Sequence, residues 1–350
     1  MKKLVAALTA SVAFAAIALS SSSAAPPPAG GIAYAKFGAG LNPTIYMAGI
    51  DGSHPLKLAS HADTPVIAPD ASAVAYEHEP TTRTGQPSLR LVAVDGTGDH
   101  QLAANLRVLE PTSWSPDSTR LAAVVGPELG GPQRLVVINV KLGTTTTIAK
   151  GFINGLSWAP DGSGLVYGLS PHSNFYPSKD DLYVASPASG TPTQITHDHR
   201  SGFPIWGAGA IVFQRFDPKQ PRDDEPKAKL FLIKPDGSGV RQLTHGTAPK
   251  FLTGLQPLAF SADGTRLLAE FGGQDTSYAQ TVDPTTGKAR TVGPRGNDYV
   301  GMALSKDGST ILTAKGGYDP NGKHALVTFP YGGGPGTTIV NGAYFATWTR

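Results

Sequence analysis

The sequence predicts an all-β chain arranged as a seven-bladed β-propeller of four-stranded blades, and three observations carry that expectation. One phrase recurs, as Trp114-Ser115-Pro116-Asp117-Ser118, Trp158-Ala159-Pro160-Asp161-Gly162, Phe260-Ser261-Ala262-Asp263-Gly264 and Leu304-Ser305-Lys306-Asp307-Gly308. With a degenerate copy at Ile67-Ala68-Pro69-Asp70-Ala71 and Trp206-Gly207 where another is due, its spacing is about 44 to 55 residues, the period of a propeller blade. Next, 42 glycines and 30 prolines punctuate the chain so often that no helix-period apolar pattern survives for a dozen residues. Finally, the chain ends on an unfinished unit that its beginning completes.

Residues 1–24 read as an export signal. Lys2 and Lys3 give a basic start, Leu4 to Leu19 is an apolar run short for a membrane span, and the small residues Ser22 and Ala24 place the cut after Ala24. An uncleaved anchor is the alternative. Residues 25–30 form a short linker, and residues 31–350 form the single propeller domain. Within 31–60 the runs Ile32 to Phe37, Thr44 to Ile50 and Leu56 to Leu58 supply the second, third and fourth strands of a blade, with no first strand before them. Complete units follow at about 63–103, 110–149, 153–196, 201–244, 255–292 and 299–340. In each, the phrase ends the innermost strand and an apolar run such as Leu121 to Val125 or Leu165 to Tyr167 follows it. Then come a second run such as Leu135 to Val140 and an outer one such as Gln194-Ile195-Thr196 or Gln242-Leu243-Thr244. Ala343 to Trp348 is a lone first strand. Laid against the opening fragment it completes a seventh blade, because a ring left open would expose unpaired strand edges and an apolar face. Six or eight blades is the alternative count, should the irregular stretch 201–257 be divided differently.

The residue types of the phrase have a physical reason. A large aromatic at the end of an innermost strand wedges between sheets, burying area worth about 2 to 3 kcal/mol. Pro-Asp-Gly then makes a tight reversal, with Pro fixing φ, Asp bonding to the backbone and Gly accepting positive φ. The repeated aspartates are therefore read as turn formers rather than catalytic acids.

Composition narrows the class. The absence of cysteine excludes disulfides, thiolate metal sites and a lipid-modified cysteine. Lys and Arg number 29 against 26 Asp and Glu, and loss of the leader brings the net charge to about +1, which does not suggest a nucleic-acid surface. No other apolar stretch approaches a membrane span. The mature chain is expected to be exported, periplasmic or extracellular, with no membrane span.

The sequence Trp-Ser-Pro-Asp-x-x-x-Leu, an apolar strand, a second strand ending in Asp-Gly, and then Arg/Thr-Gln-Leu/Ile-Thr resembles the WD40-like PD40 repeat of the TolB β-propeller family. The match is best at Trp114 to Leu121, Trp158 to Leu165, Asp236 to Thr244 and Phe260 to Leu267. The resemblance implies a propeller that serves as a scaffold, an interaction module or a gate on a peptidase. The amino-terminal α/β domain of TolB has no counterpart here, and no Gly-x-Ser-x-Gly elbow accompanies the propeller.

In a propeller the second-to-third and fourth-to-first strand connections share one face. Here they are the long and varied ones, so that face is the expected recognition surface. Its candidate binding residues are His61, Asp63, Arg107, Glu110, His197, His199, Arg200, His245, Arg295 and Asp298, with Lys250 nearby. His197 and His199, two apart, are the weak candidates for a divalent metal; no other cofactor is implied. Asp95-x-Thr97-x-Asp99 and Asp180-Asp181 lack the remaining oxygens of a calcium loop and read as turns. The charged loop Asp217 to Lys229 is a candidate docking loop, and Phe175, Tyr176 and Trp206 are aromatics able to stack on a sugar. No phosphate-binding glycine loop and no His-Glu-x-x-His pair occurs. The leading function is a non-enzymatic scaffold binding a protein or cell-envelope component. The alternative is a carbohydrate-active lyase or glycosidase using a His/carboxylate cluster at the channel mouth, metal-dependent or not.

Overall fold

The computed structural model describes residues 31–38, 42–81, 87–103, 108, 112–126, 131–170, 180–187, 190–216, 227–246, 252–273, 277–294, 299–316 and 323–349. They form strands and turns with no helix. The strands are β1 (Gly31–Phe37), β2 (Pro43–Gly49) and β3 (Leu56–Ser60); β4 (Ala62–Ile67), β5 (Ala73–His78), β6 (Ser88–Ala93) and β7 (His100–Ala103); β8 (Ser113–Trp114), β9 (Arg120–Val125), β10 (Gln133–Asn139) and β11 (Thr145–Trp158). Next come β12 (Leu165–Ser170), β13 (Asp181–Ala185) and β14 (Pro192–Gln194); β15 (Ser201–Trp206), β16 (Ile211–Phe216), β17 (Ala228–Ile233) and β18 (Arg241–Gln242); β19 (Leu252–Phe260), β20 (Leu267–Gly273), β21 (Ser277–Val282) and β22 (Ala289–Thr291); β23 (Tyr299–Leu304), β24 (Thr310–Lys315), β25 (Ala325–Pro330), β26 (Thr337–Asn341) and β27 (Ala343–Trp348).

Antiparallel pairing gathers these strands into quartets. The first is β27-β1-β2-β3, in which Ile32 lies opposite Trp348 and Ala35 opposite Phe345. The second is β4 to β7; the third joins β8, β9, β10 and the first half of β11; the fourth joins the second half of β11 to β12, β13 and β14. The last three are β15 to β18, β19 to β22 and β23 to β26. The quartets are less separate than the repeat suggests. β11 runs unbroken from one to the next, because Gly151, at φ 145, lets it swing across where a side chain would strike Leu169. Single parallel bridges, Ala228 to Gly254 and Tyr278 to Tyr299, likewise join the last three. Connections expected as loops are partly strand: only His61, at φ 53, separates β3 from β4.

Both faces of the sheets are buried along second and third strands such as β9, β10 and β12, so alternate residues of one strand enter different cores. Leu121, Ala123 and Val125 of β9 pack with Leu89, Leu91 and Leu102 of the second quartet. Ala122 and Val124 pack instead with Trp158, Leu165 and Tyr167 of the fourth. The same division repeats along the chain. In β1, Ala33 and Ala35 meet Val74 and Tyr76 of the second quartet, while Ile32 and Tyr34 meet Leu312, Ala314 and Leu326 of the last.

The recurring phrase earns its form through bonds between quartets. The Trp114 indole donates to the Val66 carbonyl at 2.9 Å, Trp158 to Ser113 at 2.9 Å, and Trp348 to Leu304 at 2.7 Å. Each ties the end of a first strand to the first strand of the quartet before it. Arg120 stacks 4.9 Å over the Trp158 ring and donates to the Gly162 carbonyl; Arg266 donates likewise to Asp307. The turn aspartates are held as expected: hydrogen bonds from the Ser261 hydroxyl and the Thr265 amide hold Asp263 down at about 2. On the outer side, some of the turns after third strands press on the preceding quartet. Gly287, at φ 71, lies so close that an added Cβ would fall 1.7 Å from the Leu243 carbonyl, and Gly52 stands in that relation to Ile339 of the last quartet. Only glycine fits at such positions.

Candidate functional site

First strands contact one another from quartet to quartet and are therefore innermost, and several carry a bulge near their starting end. The register slips between Asp63 and Val66, Asn154 and Leu156, and Gly202 and Ile205. Bulges of this kind re-aim side chains, and non-glycine residues with positive φ gather beside them: His61, Thr64, His199 and Phe203.

The densest polar network lies where the fourth quartet meets the fifth. Asp181, 3% exposed, opens β13. One carboxylate oxygen accepts from the Thr196 hydroxyl at 3.1 Å and from the backbone amides of Asp198 and His199 at 3.0 and 3.1 Å. The other accepts from Gln194 at 3.1 Å and from Nδ1 of His199 at 2.7 Å. The Gln-x-Thr run is thereby explained: Thr196 accepts the Leu182 amide while Gln194 caps the Thr196 carbonyl, as Thr244 and Gln242 do in the next quartet. Where that next quartet has Lys229, the fourth has Asp181, and the acid recruits the imidazole.

With Nδ1 held, the His199 side chain remains 68% exposed. Beside it, Asp198 accepts from the Arg200 amide and the Ser201 hydroxyl and pairs with Arg215, whose guanidinium stacks 5.0 Å over Phe231. Arg200 donates to the Phe216 carbonyl at 3.1 Å. Buried Asp180 accepts from Asn154 at 2.8 Å. An imidazole fixed in one tautomer by a buried carboxylate is suited to accept a hydrogen bond, a proton or a metal through Nε2.

The sequence-derived candidates thus occupy separate places. His199 and Arg200 belong to this network, while His197 is exposed beside it. Asp63 accepts the Thr64 amide in its own bulge and lies opposite Glu77, next to His61. His245 lines a groove farther out. Arg107, Glu110, Lys250, Arg295 and Asp298 lie outside the described residues, as do Phe175, Tyr176 and residues 217–226 of the charged loop. Trp206 is half-buried against Gly164 and packs with the core between the fourth and fifth quartets. Asp95 is a turn former bonded to Thr97, and Asp99 pairs with Arg90 at 3.0 Å. Among the described residues no three His, Asp or Glu side chains converge to hold one ion. Sequence reasoning missed Arg215 and Glu270. Glu270 sits in β20 opposite Gln256 and accepts the Gly301 amide at 3.3 Å, and burial pushes it up to about 7. An acid interrupting the apolar run Leu267-Leu268-Ala269 was the signal available.

No protein-family model matches the sequence, and no curated protein matches it either. Solved structures do. The β-propeller domain of the Trilobed protease from Pyrococcus furiosus, described as having an open velcro topology, aligns over 86% of this chain and 88% of its own with TM-score 0.64 and 13% identity. TolB from Acinetobacter baumannii aligns over 91% and 82% with TM-score 0.54 and 16% identity. An oligogalacturonate lyase in complex with manganese aligns over 79% and 75% with TM-score 0.56 and 18% identity. Together with the quartets and the phrase that links them, these likenesses make the fold that of a TolB-like β-propeller.

Proposed function

We propose that the chain is an exported, seven-bladed propeller, closed by β27 on β1, that serves as a non-enzymatic scaffold and binds a protein or other cell-envelope component through the face bearing His199. Export rests on the basic, apolar and small-residue order of residues 1–24. Closure is supported by the pairing of β27 with β1 and by the Trp348 and Gly52 contacts, which repeat between the last and first quartets what Trp158 and Gly287 do elsewhere. The observation that carries the scaffold reading is how the polar groups of the face are used. Asp181 takes five donors and Asp198 is committed to Arg200, Ser201 and Arg215, so these acids build a shaped surface rather than a reacting pair. The test is capture from envelope extract with the mature chain as bait, compared with H199A/R200E and with Asp236→Lys on the opposite turns. Loss of one specific partner in H199A/R200E alone supports the reading; equal capture by all three chains refutes it.

A second reading, a metal-dependent uronide lyase, is favoured by one observation: the Asp181–His199 pair has the arrangement in which a ligating histidine is held by a carboxylate. Calorimetric titration with Mn2+ and absorbance of unsaturated uronide products decide it. Tight Mn2+ binding lost in H199A, with product formation, would displace the scaffold reading.

A further inference from the structure

Away from the inner strands, two grooves lie side by side in consecutive seams, one between the fifth and sixth quartets and one between the sixth and seventh. The larger, of 490 Å³, is bounded by Arg290, Lys315 and the glycine-rich turn Gly333 to Gly336, over a floor that includes Tyr299 and Phe329. The smaller, of 340 Å³, is bounded by His245, Lys288 and Thr286, over Leu255 and Phe271. The strand β22 is the wall they share. Lys288 and Ala289 line one groove, and Arg290 and Thr291 line the other.

Two features give this pair a ligand chemistry. Among the described residues neither lining contains a carboxylate, although Asp and Glu nearly balance Lys and Arg in the chain as a whole. A local excess of cations in a concave seam favours an anion over the rest of the surface. The cationic rim is also preset. Arg290 donates to the Tyr331 carbonyl and lies against Gly333, while the Tyr331 hydroxyl donates to the Val282 carbonyl at 2.9 Å and anchors the turn. Preorganisation of this sort lowers the ordering cost of binding. The floor aromatics pack edge to face at 5.0 Å, with Tyr299 8% and Phe329 2% exposed. They offer an apolar floor but no open ring on which a nucleobase stacks, and threonine hydroxyls on both rims suit a hydroxyl-rich ligand.

We propose that the two grooves form consecutive subsites for a linear polyanion of carboxylate-bearing sugar rings, one ring to each groove across β22. This surface is separate from the His199 face, and variants in it leave capture at that face unchanged.

The test is isothermal titration of the mature chain with alginate oligosaccharides, with neutral dextran and single-stranded DNA as comparison ligands. Lys288→Gln and Lys315→Gln are each expected to weaken alginate binding about 5-fold or more and to act together in the double variant. Lys141→Gln, on an exposed turn of the third quartet, is expected to leave it unchanged, and thermal unfolding of all variants should match the parent. Binding should weaken as salt rises. Equal affinity for dextran, equal affinity for DNA, or indifference to both groove substitutions would overturn the assignment.

Discussion

Replacing Glu270 by Gln tests how a second strand tolerates a half-buried acid. Glu270 lies among Gln256, Ala279 and the Gly301 amide, and burial raises it from 4.5 to about 7. The folded chain therefore holds a proton there that the unfolded chain has released. Stability conferred by that proton is complete below about pH 4.5 and falls as pH rises through about 7. A displacement of this size corresponds to about 3 kcal/mol across the window. Glutamine keeps an acceptor for Gly301 and has no charge to bury. Urea unfolding of parent and Glu270→Gln at pH 4.5, 6 and 8 reads the difference directly. E270Q should gain about 2 to 3 kcal/mol relative to the parent between pH 4.5 and 8. A stability difference that does not change with pH would refute the reasoning, because the carboxylate would then be solvated in the folded chain.

Two further substitutions probe the links between quartets. Trp158→Phe keeps an apolar ring but removes the 2.9 Å bond to Ser113, and chemical denaturation should show a loss of about 1 to 3 kcal/mol. Gly287→Ala places a methyl group on the Leu243 carbonyl, whereas Gly190 has a similar positive φ in open space. In thermal melts G287A should therefore lose about 2 kcal/mol or more beyond G190A, and equal losses would show that the outer turns do not press on their neighbours.

The repeat was legible because its phrase does a local job in every copy: Asp263 and Asp307 make their turns with partners two residues away on either side. The Trp-x-Pro-Asp aromatics were legible as wedges for the same reason, though not the indole bond of each to the preceding first strand. Part of what the sequence hid depends on contacts some 40 residues apart. Arg120 and Arg266 reach the next turn, and nothing in their own segments announces it. The continuity of β11 across the division expected between 110–149 and 153–196 was hidden because Gly151 is a hinge that keeps the strand going. At the site, the His197-Asp198-His199 triplet drew the eye as a pair of imidazoles. The organising group is instead Asp181, 18 residues from His199, which takes one imidazole and leaves the other exposed.

A closed ring depends most on the seam between the last strand and the first. Amide hydrogen exchange of the intact mature chain, followed residue by residue across Ala343 to Trp348, measures that seam without disturbing it. Paired to β1 and bonded through Trp348 to Leu304, these amides should exchange as slowly as those of β9 or β16, through global unfolding. Exchange at the fast rate of a frayed terminus would contradict the closed propeller.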